Sequence, residues 1–181
     1  MAAATQQVST ALLSDEEKAI FEELIKAARD KAALEPKVSA KEEVVSSGYI
    51  SNRHKDPVTL RLHDQHNWSG NPVLSYPQFI PRQKHPIEFK HQGPLPQGSK
   101  GGVVYADGDD STARKWLIAF DYSNNKVYAE AEPIGDVDWN VIEVKLDASG
   151  ESSLYEDPVL GGKAHAAING DARIVVAWFI N

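Results

Sequence analysis

Cysteine is absent from the 181 residues, which excludes disulfides, thiolate metal sites and a cysteine nucleophile. Long apolar runs are missing too. No window approaches the roughly eighteen apolar residues that a membrane-spanning helix needs. The opening Met1-Ala2-Ala3-Ala4-Thr5-Gln6-Gln7 has neither the basic stretch nor the apolar stretch of a secretory leader. A cytoplasmic location is therefore the expectation, and Asn67-Trp68-Ser69 reads as an incidental glycosylation sequon. Positive charge is scarce: 19 Lys and Arg stand against 26 Asp and Glu, a net charge of −7. A nucleic-acid binder needs the opposite surplus to displace counterions from phosphate, so no nucleic-acid partner is expected. Simple electrostatic attachment to anionic lipid is disfavoured for the same reason.

What is present is a globular composition. The hydrophobic share of 41% and charged share of 25% leave enough apolar surface to build a core, so wholesale disorder is not expected. Residues 1–40 read as an arm followed by a helix, and residues 41–181 as a β-domain. Ser14 and Glu17 have the spacing of a capping box, and Asp15, Glu16 and Glu17 place negative charge at the positive end of a helix dipole. Ile20, Phe21, Leu24, Ile25 and Ala28 follow as one apolar stripe, and Pro36 ends the run. This predicts an amphipathic helix over Asp15–Leu34. Its stripe needs cover, because an isolated helix of that length is marginal in water. Two placements satisfy it: docking on the β-domain, or pairing with a second copy in a homodimer.

After Lys41 the pattern becomes strand-like. Nine strands are predicted, at Val44–Ile50, Val58–His63, Ile87–His91, Gly102–Ala106, Trp116–Phe120, Lys126–Glu132, Val141–Leu146, Lys163–Ile168 and Ala172–Ile180. Turn chemistry separates them, and Asn169-Gly170 is the strongest hairpin signal, since a type I′ turn needs positive φ at both central residues. In Val141–Leu146 the apolar Ile142, Val144 and Leu146 alternate with Glu143 and Lys145. The last segment is apolar throughout, so a central position covered on both faces is expected. Pro72, Pro77, Pro81 and Pro86 confine residues 70–86 to an edge or a surface. Short strands without helical crossovers predict a mostly β protein, an antiparallel β-sandwich of about nine strands behind an N-terminal amphipathic helix.

Candidate chemistry is sparse. His54, His63 and His66 fall within thirteen residues, with His85 and His91 beyond. Imidazoles ligate metals and shuttle protons, but two histidines three apart share a face only on a helix. Solvated or locally bonded loop histidines are the better account, and no metal site is predicted. Asp107-Gly108-Asp109-Asp110 lacks the further ligands of a calcium loop and reads as a hairpin tip. Gly98-Ser99-Lys100-Gly101-Gly102 has no helix behind it to bind phosphate and reads as a turn. Glu130 and Glu132 share one face of a strand, as chance allows among so many acids. No nucleophile elbow and no other catalytic motif is present, so catalytic residues stay unassigned and no cofactor is implied. Trp116, Trp139 and Trp178 sit in or beside strands and are expected in the core. Trp68, Tyr76 and Phe79 lie in the irregular proline-rich stretch, where flat aromatic faces beside polar groups can hold a sugar, a lipid headgroup or a partner.

These pieces, in this order, resemble the small jasmonate-induced proteins of plants. The resemblance runs from about Val44 to Leu146. It rests on Asn52, then Leu60 with Asn67-Trp68-Ser69-Gly70, Tyr76-Pro77-Gln78-Phe79-Ile80 and Phe89-Lys90-His91. It continues through Gly98-Ser99-Lys100-Gly101-Gly102-Val103-Val104-Tyr105, Trp116-Leu117-Ile118, Asn125-Lys126-Val127-Tyr128 and Trp139 with Val144-Lys145-Leu146. More distantly the arrangement is similar to aegerolysin and actinoporin-like sandwiches, which recognise membrane lipids. The basic, aromatic cluster of a lytic actinoporin is not evident. The resemblance implies a stress or defence role and supplies no reaction. The leading expectation is a non-enzymatic binding protein for a carbohydrate, lipid headgroup or small metabolite, with any membrane contact peripheral. Trp68 would stack on the ligand, Tyr76 would add a hydroxyl, and His63 and His66 would supply polar contacts. The alternative is a small plant enzyme whose histidine-rich loop does acid–base or metal-assisted work.

Overall fold

The computed structural model describes residues 13–34, 43–82 and 85–181. The predicted helix is present as α1 (Asp15–Leu34). Its capping box closes reciprocally: Ser14 N donates to Glu17 Oε2 at 2.8 Å and Glu17 N donates to Ser14 Oγ at 3.2 Å. Pro36 lies outside the described residues.

Eleven strands follow: β1 (Glu43–Asn52), β2 (Leu60–Ser69), β3 (Asn71–Leu74), β4 (Phe79–Ile80), β5 (Ile87–Pro94), β6 (Lys100–Ala106), β7 (Arg114–Asp121), β8 (Lys126–Pro133), β9 (Ser152–Glu156), β10 (Lys163–Asn169) and β11 (Ile174–Ile180). They form a six-stranded sheet, β3-β5-β1-β11-β10-β9, facing a five-stranded sheet, β4-β2-β6-β7-β8. The two pack as a sandwich around Ile50, Phe89, Val103, Tyr105, Trp116, Ile118, Phe120 and Phe179, among others. Tyr122 Oη donates across it to Ser47 O, and Trp116 Nε1 to Ile180 O.

Proline acts as expected. Pro72 sits in β3 and Phe79-Ile80 form β4, the edge strands of their respective sheets, and a register shift follows Pro72 in β3. β11 is central, between β1 and β10. One of its faces, Val175, Ala177 and Phe179, enters the sandwich core. The other, Ile174, Val176, Trp178 and Ile180, is covered by Phe21 and Ala28 of α1. The helical stripe is therefore buried on the chain's own sheet. Among the described residues all strand pairings are antiparallel except β1 with β11. These are the first and last strands, so nearly the whole chain serves as their connection, as a parallel pair requires.

Some sequence expectations fail. Val141–Leu146 is no strand but part of a second helix, α2 (Trp139–Asp147). Asp138 caps it, its side chain accepting from Asn140 N and Val141 N. Ile142 and Leu146, four apart, are buried on the outer face of the second sheet, whereas Val144 is 70% exposed. Ile142 and Leu146 satisfy a period of two and a helical i, i+4 spacing equally; Val144 decides between them. The Asn169-Gly170 hairpin does join β10 to β11, but not as a type I′ turn. Asn169 Oδ1 accepts from Ala172 N, and the positive φ of 54° falls on Arg173. The side-chain acceptor widens the turn to four residues and moves the left-handed position to its end.

The resulting order is α1, first sheet, second sheet, α2. No helix among the described residues is long and apolar enough to cross a membrane.

Candidate functional site

The face beneath α2 begins with a defect in β2. A register shift between Leu62 and Asp64 breaks its pairing with β6. Leu60 and Leu62 point into the core, so without the extra residue Asp64, His66 and Trp68 would follow them inward. The bulge reverses that alternation. Asp64 Oδ2 accepts from Trp139 Nε1 at 3.0 Å, and the His66 ring stacks on Trp139 with centroids 5.4 Å apart. Trp68 meets His66 edge-on at 5.1 Å and Trp139 at 5.7 Å, the indoles inclined by 76°. All three rings are half-buried. Gly102 of β6 permits the approach of Trp139, since a Cβ there would lie 2.6 Å from that indole.

Charge surrounds the rings. Lys100 Nζ lies 5.7 Å from the Trp68 ring centroid and donates to Glu143 Oε1 at 2.7 Å and Asp147 Oδ1 at 3.0 Å. Burial by itself would lower the Lys100 pKa, but its hydrogen bonds to Glu143 and Asp147 outweigh that and raise it. The ammonium therefore stays charged at neutral pH. With Asp64 the margin holds three carboxylates and one ammonium, beside aromatic faces that offer apolar contact. Such a surface can stack a planar or ring-shaped ligand and hydrogen-bond its hydroxyls.

The four expected ligand residues do not all gather here. His66 and Trp68 do. His63 is the exposed residue at the bulge, and its Nε2 donates to Gly135 O at 3.3 Å, tying β2 to the loop ahead of α2. Tyr76 lies elsewhere. It is 2% exposed, packs on Phe89 at 4.7 Å, and its hydroxyl has no partner among the described residues. Burial pushes its phenol pKa well up. Tyr76 thus contributes ring area to the core rather than a hydroxyl to this face. Trp139, Lys100, Glu143 and Asp147 escaped the sequence reading because α2 was taken for a strand and Lys100 for a turn residue. The available signal was Asp138, a capping residue just ahead of Trp139.

The other histidines scatter. Among the described residues no three His, Asp or Glu side chains come together as a metal centre. His54 is buried edge-on to Trp116. His85 is exposed. His91 is buried between the sheets, with Nδ1 2.5 Å from Ser99 Oγ and Nε2 3.0 Å from Asn67 Oδ1. That is the connectivity of a Ser-His-Asn relay, but Ser99 and His91 are 0% exposed, and a nucleophile must reach its substrate. The trio instead pins the 94–99 turn to β2 and β5. The Asp107–Asp110 carboxylates are taken up locally by Arg114, Arg61 and Thr112. Glu130, buried under α2, accepts from Tyr128 Oη at 2.7 Å and Lys145 Nζ at 3.0 Å. Asn52 explains one element of the resemblance. Its Nδ2 donates to Val58 O and Ile80 O and its Oδ1 accepts from His54 N, closing the loop after β1.

Comparison with known proteins bears on this geometry. No protein-family model matches the chain. A "Jasmonate-induced protein homolog" of Atriplex canescens is 30% identical over an alignment of 127 residues that covers 62% of this chain and 66% of that protein. The chain thus spans just under two thirds of its relative, and the resemblance to the jasmonate-induced proteins stands. Among solved structures, the lipid binding protein Nakanori superposes with a TM-score of 0.61 at 15% identity, covering 98% of this chain and 89% of that one. This shows the shared sandwich fold. The lectin of Xerocomus chrysenteron aligns with a TM-score of 0.48 at 8% identity, over 76% of this chain and 99% of the lectin.

Proposed function

We propose that this chain is a non-enzymatic stress or defence protein that recognises a carbohydrate or lipid headgroup through the His66–Trp68–Trp139 face. The observation carrying the reading is that face itself. Three half-buried rings sit at right-angled or stacked contact, surrounded by Asp64, Lys100, Glu143 and Asp147. Rings give a sugar or headgroup its apolar contact, and the charged margin supplies orientation. The likeness to a jasmonate-induced homolog supports the stress or defence setting. The shared fold with a protein described as lipid binding supports a ligand of this class.

Trp68→Ala is the test, since Trp68 is half-exposed and its loss leaves the core between the sheets intact. Wild type and variant are compared on a glycan array and on phosphatidylcholine vesicles with and without glycolipid. A recognition-site Trp is worth about 2 kcal/mol, so affinity is expected to fall roughly thirtyfold. The array and vesicle arms separate a free sugar from a headgroup. Equal binding by the two proteins would remove the assignment.

A further inference from the structure

The second sheet and α2 carry the face just described; the opposite side of the molecule holds a separate cavity. It lies between α1 and the first sheet, with a volume of about 320 Å³. That is the lower end of the range for small-molecule sites. At roughly 30 Å³ per water it holds about ten waters, or a compound of on the order of ten to fifteen non-hydrogen atoms. Phe21 and Trp178, both buried, form its floor, and the half-buried Ile20, Leu24 and Pro86 its walls.

Two polar groups that line it lack partners among the described residues. Trp178 is 3% exposed, and among the described residues its Nε1 has no hydrogen bond. A buried indole N–H without an acceptor is costly, and native proteins seldom leave one so. Arg53 lines the same cavity and is half-buried, yet among the described residues its guanidinium has neither ion pair nor hydrogen bond. Guanidinium groups drawn away from water are normally met by a carboxylate or phosphate. Glu23 and His85 stand at the rim, both exposed, so the Glu23 charge is solvated and does not neutralise Arg53.

We propose that this cavity is a binding site for a small monocarboxylate with an apolar body. The body lies against Phe21, Leu24 and Trp178, and the carboxylate meets Arg53. An oxygen of the ligand accepts from Trp178 Nε1. The size of the cavity excludes a two-chain lipid. The site is independent of the Trp68 face.

The probe is 4-phenylbutyrate, with its primary amide and acetate as controls. The readout is the indole ¹H–¹⁵N resonance of Trp178, assigned with Trp178→Phe. Saturable movement of that resonance by 4-phenylbutyrate is expected. Binding should weaken about tenfold or more with the amide and with Arg53→Gln, since a charge-assisted contact is lost. Acetate, lacking a body, should not saturate. Ala27→Trp, which fills the rim from an exposed helical position, should abolish binding in a folded protein, and Trp68→Ala should leave it unchanged. A Trp178 resonance that never moves, or equal affinity for acid and amide in wild type and Arg53→Gln alike, would overturn the proposal.

Discussion

Three imidazoles make the protein's stability dependent on pH in a calculable way. His54 and His91 are buried and His165 is half-buried beneath Phe21, and the loss of hydration lowers each pKa from 6.5 to about 4, with Arg114 adding to the effect at His54. Their surroundings offer little to a charged ring. His54 faces Trp116, and Asp107, the Phe179 backbone and Asp56 act against the combined effect of burial and Arg114 without cancelling it. His91 is held by Ser99 and Asn67 beside Phe120. His165 is stacked under Phe21 at 3.7 Å, its Nδ1 without a partner among the described residues. The folded state therefore keeps them neutral, while the unfolded chain protonates each near 6.5. Below that pH the unfolded state binds more protons, so stability falls as pH drops, and the loss is complete once pH passes below about 4. Between about pH 7.5 and pH 5 each histidine costs about 2 kcal/mol, and the three together about 6 kcal/mol. Glu132 acts in the opposite sense. Burial and the neighbouring Glu130 raise its pKa, so its destabilising charge is relieved by acid, and the total shrinks somewhat. Against a typical stability of 5–15 kcal/mol, about 6 is enough to bring unfolding within reach of mild acid. Urea unfolding followed by far-UV circular dichroism measures it, at about pH 7.5, 6 and 5. His165→Leu, which removes one of the three titrating groups, should reduce the pH-dependent loss by about a third. A urea midpoint that stays put from pH 7.5 to 5 would refute the reasoning.

Two further outcomes test the packing. A Cβ at Gly48, in the middle of β1, would lie 2.0 Å from two atoms of the Phe89 ring; Gly48→Ala is expected to cost about 3 kcal/mol in urea unfolding, and a neutral result would mean that Phe89 yields freely. Phe21→Ala removes the ring that stacks on His165 and Trp178. It should speed hydrogen exchange throughout α1 while β6 and β7 stay protected, because the core between the sheets does not involve Phe21; unchanged protection of α1 would show that the helix is held by other means.

How far the chain could be read without coordinates depends on how local each cause is. The capping box of α1 involves residues three apart, and its reciprocal hydrogen bonds form where the spacing places them. Strands rich in Val, Ile and aromatics, and proline at the edges, also follow from near neighbours and steric exclusion. α2 was misread because Ile142 and Leu146 fit two periodicities, and only the outer face of the second sheet selects the helical one. The binding face was half legible. His66 and Trp68 stood out as residues in an odd stretch, but what turns them outward is a bulge, and what meets them is Trp139, more than seventy residues away.

Sequence alone determined the local grammar: a capped amphipathic helix, short β-segments, no thiol chemistry, and a charge unsuited to nucleic acid. These rest on interactions a few residues long, which composition and spacing record directly. The tertiary structure decided which faces meet. It sent Tyr76, His54 and His91 inward, closed a helix over each sheet, and left the Arg53 guanidinium and the Trp178 indole N–H without partners among the described residues, because burial and pairing between distant segments depend on where the chain returns, and no local pattern encodes that.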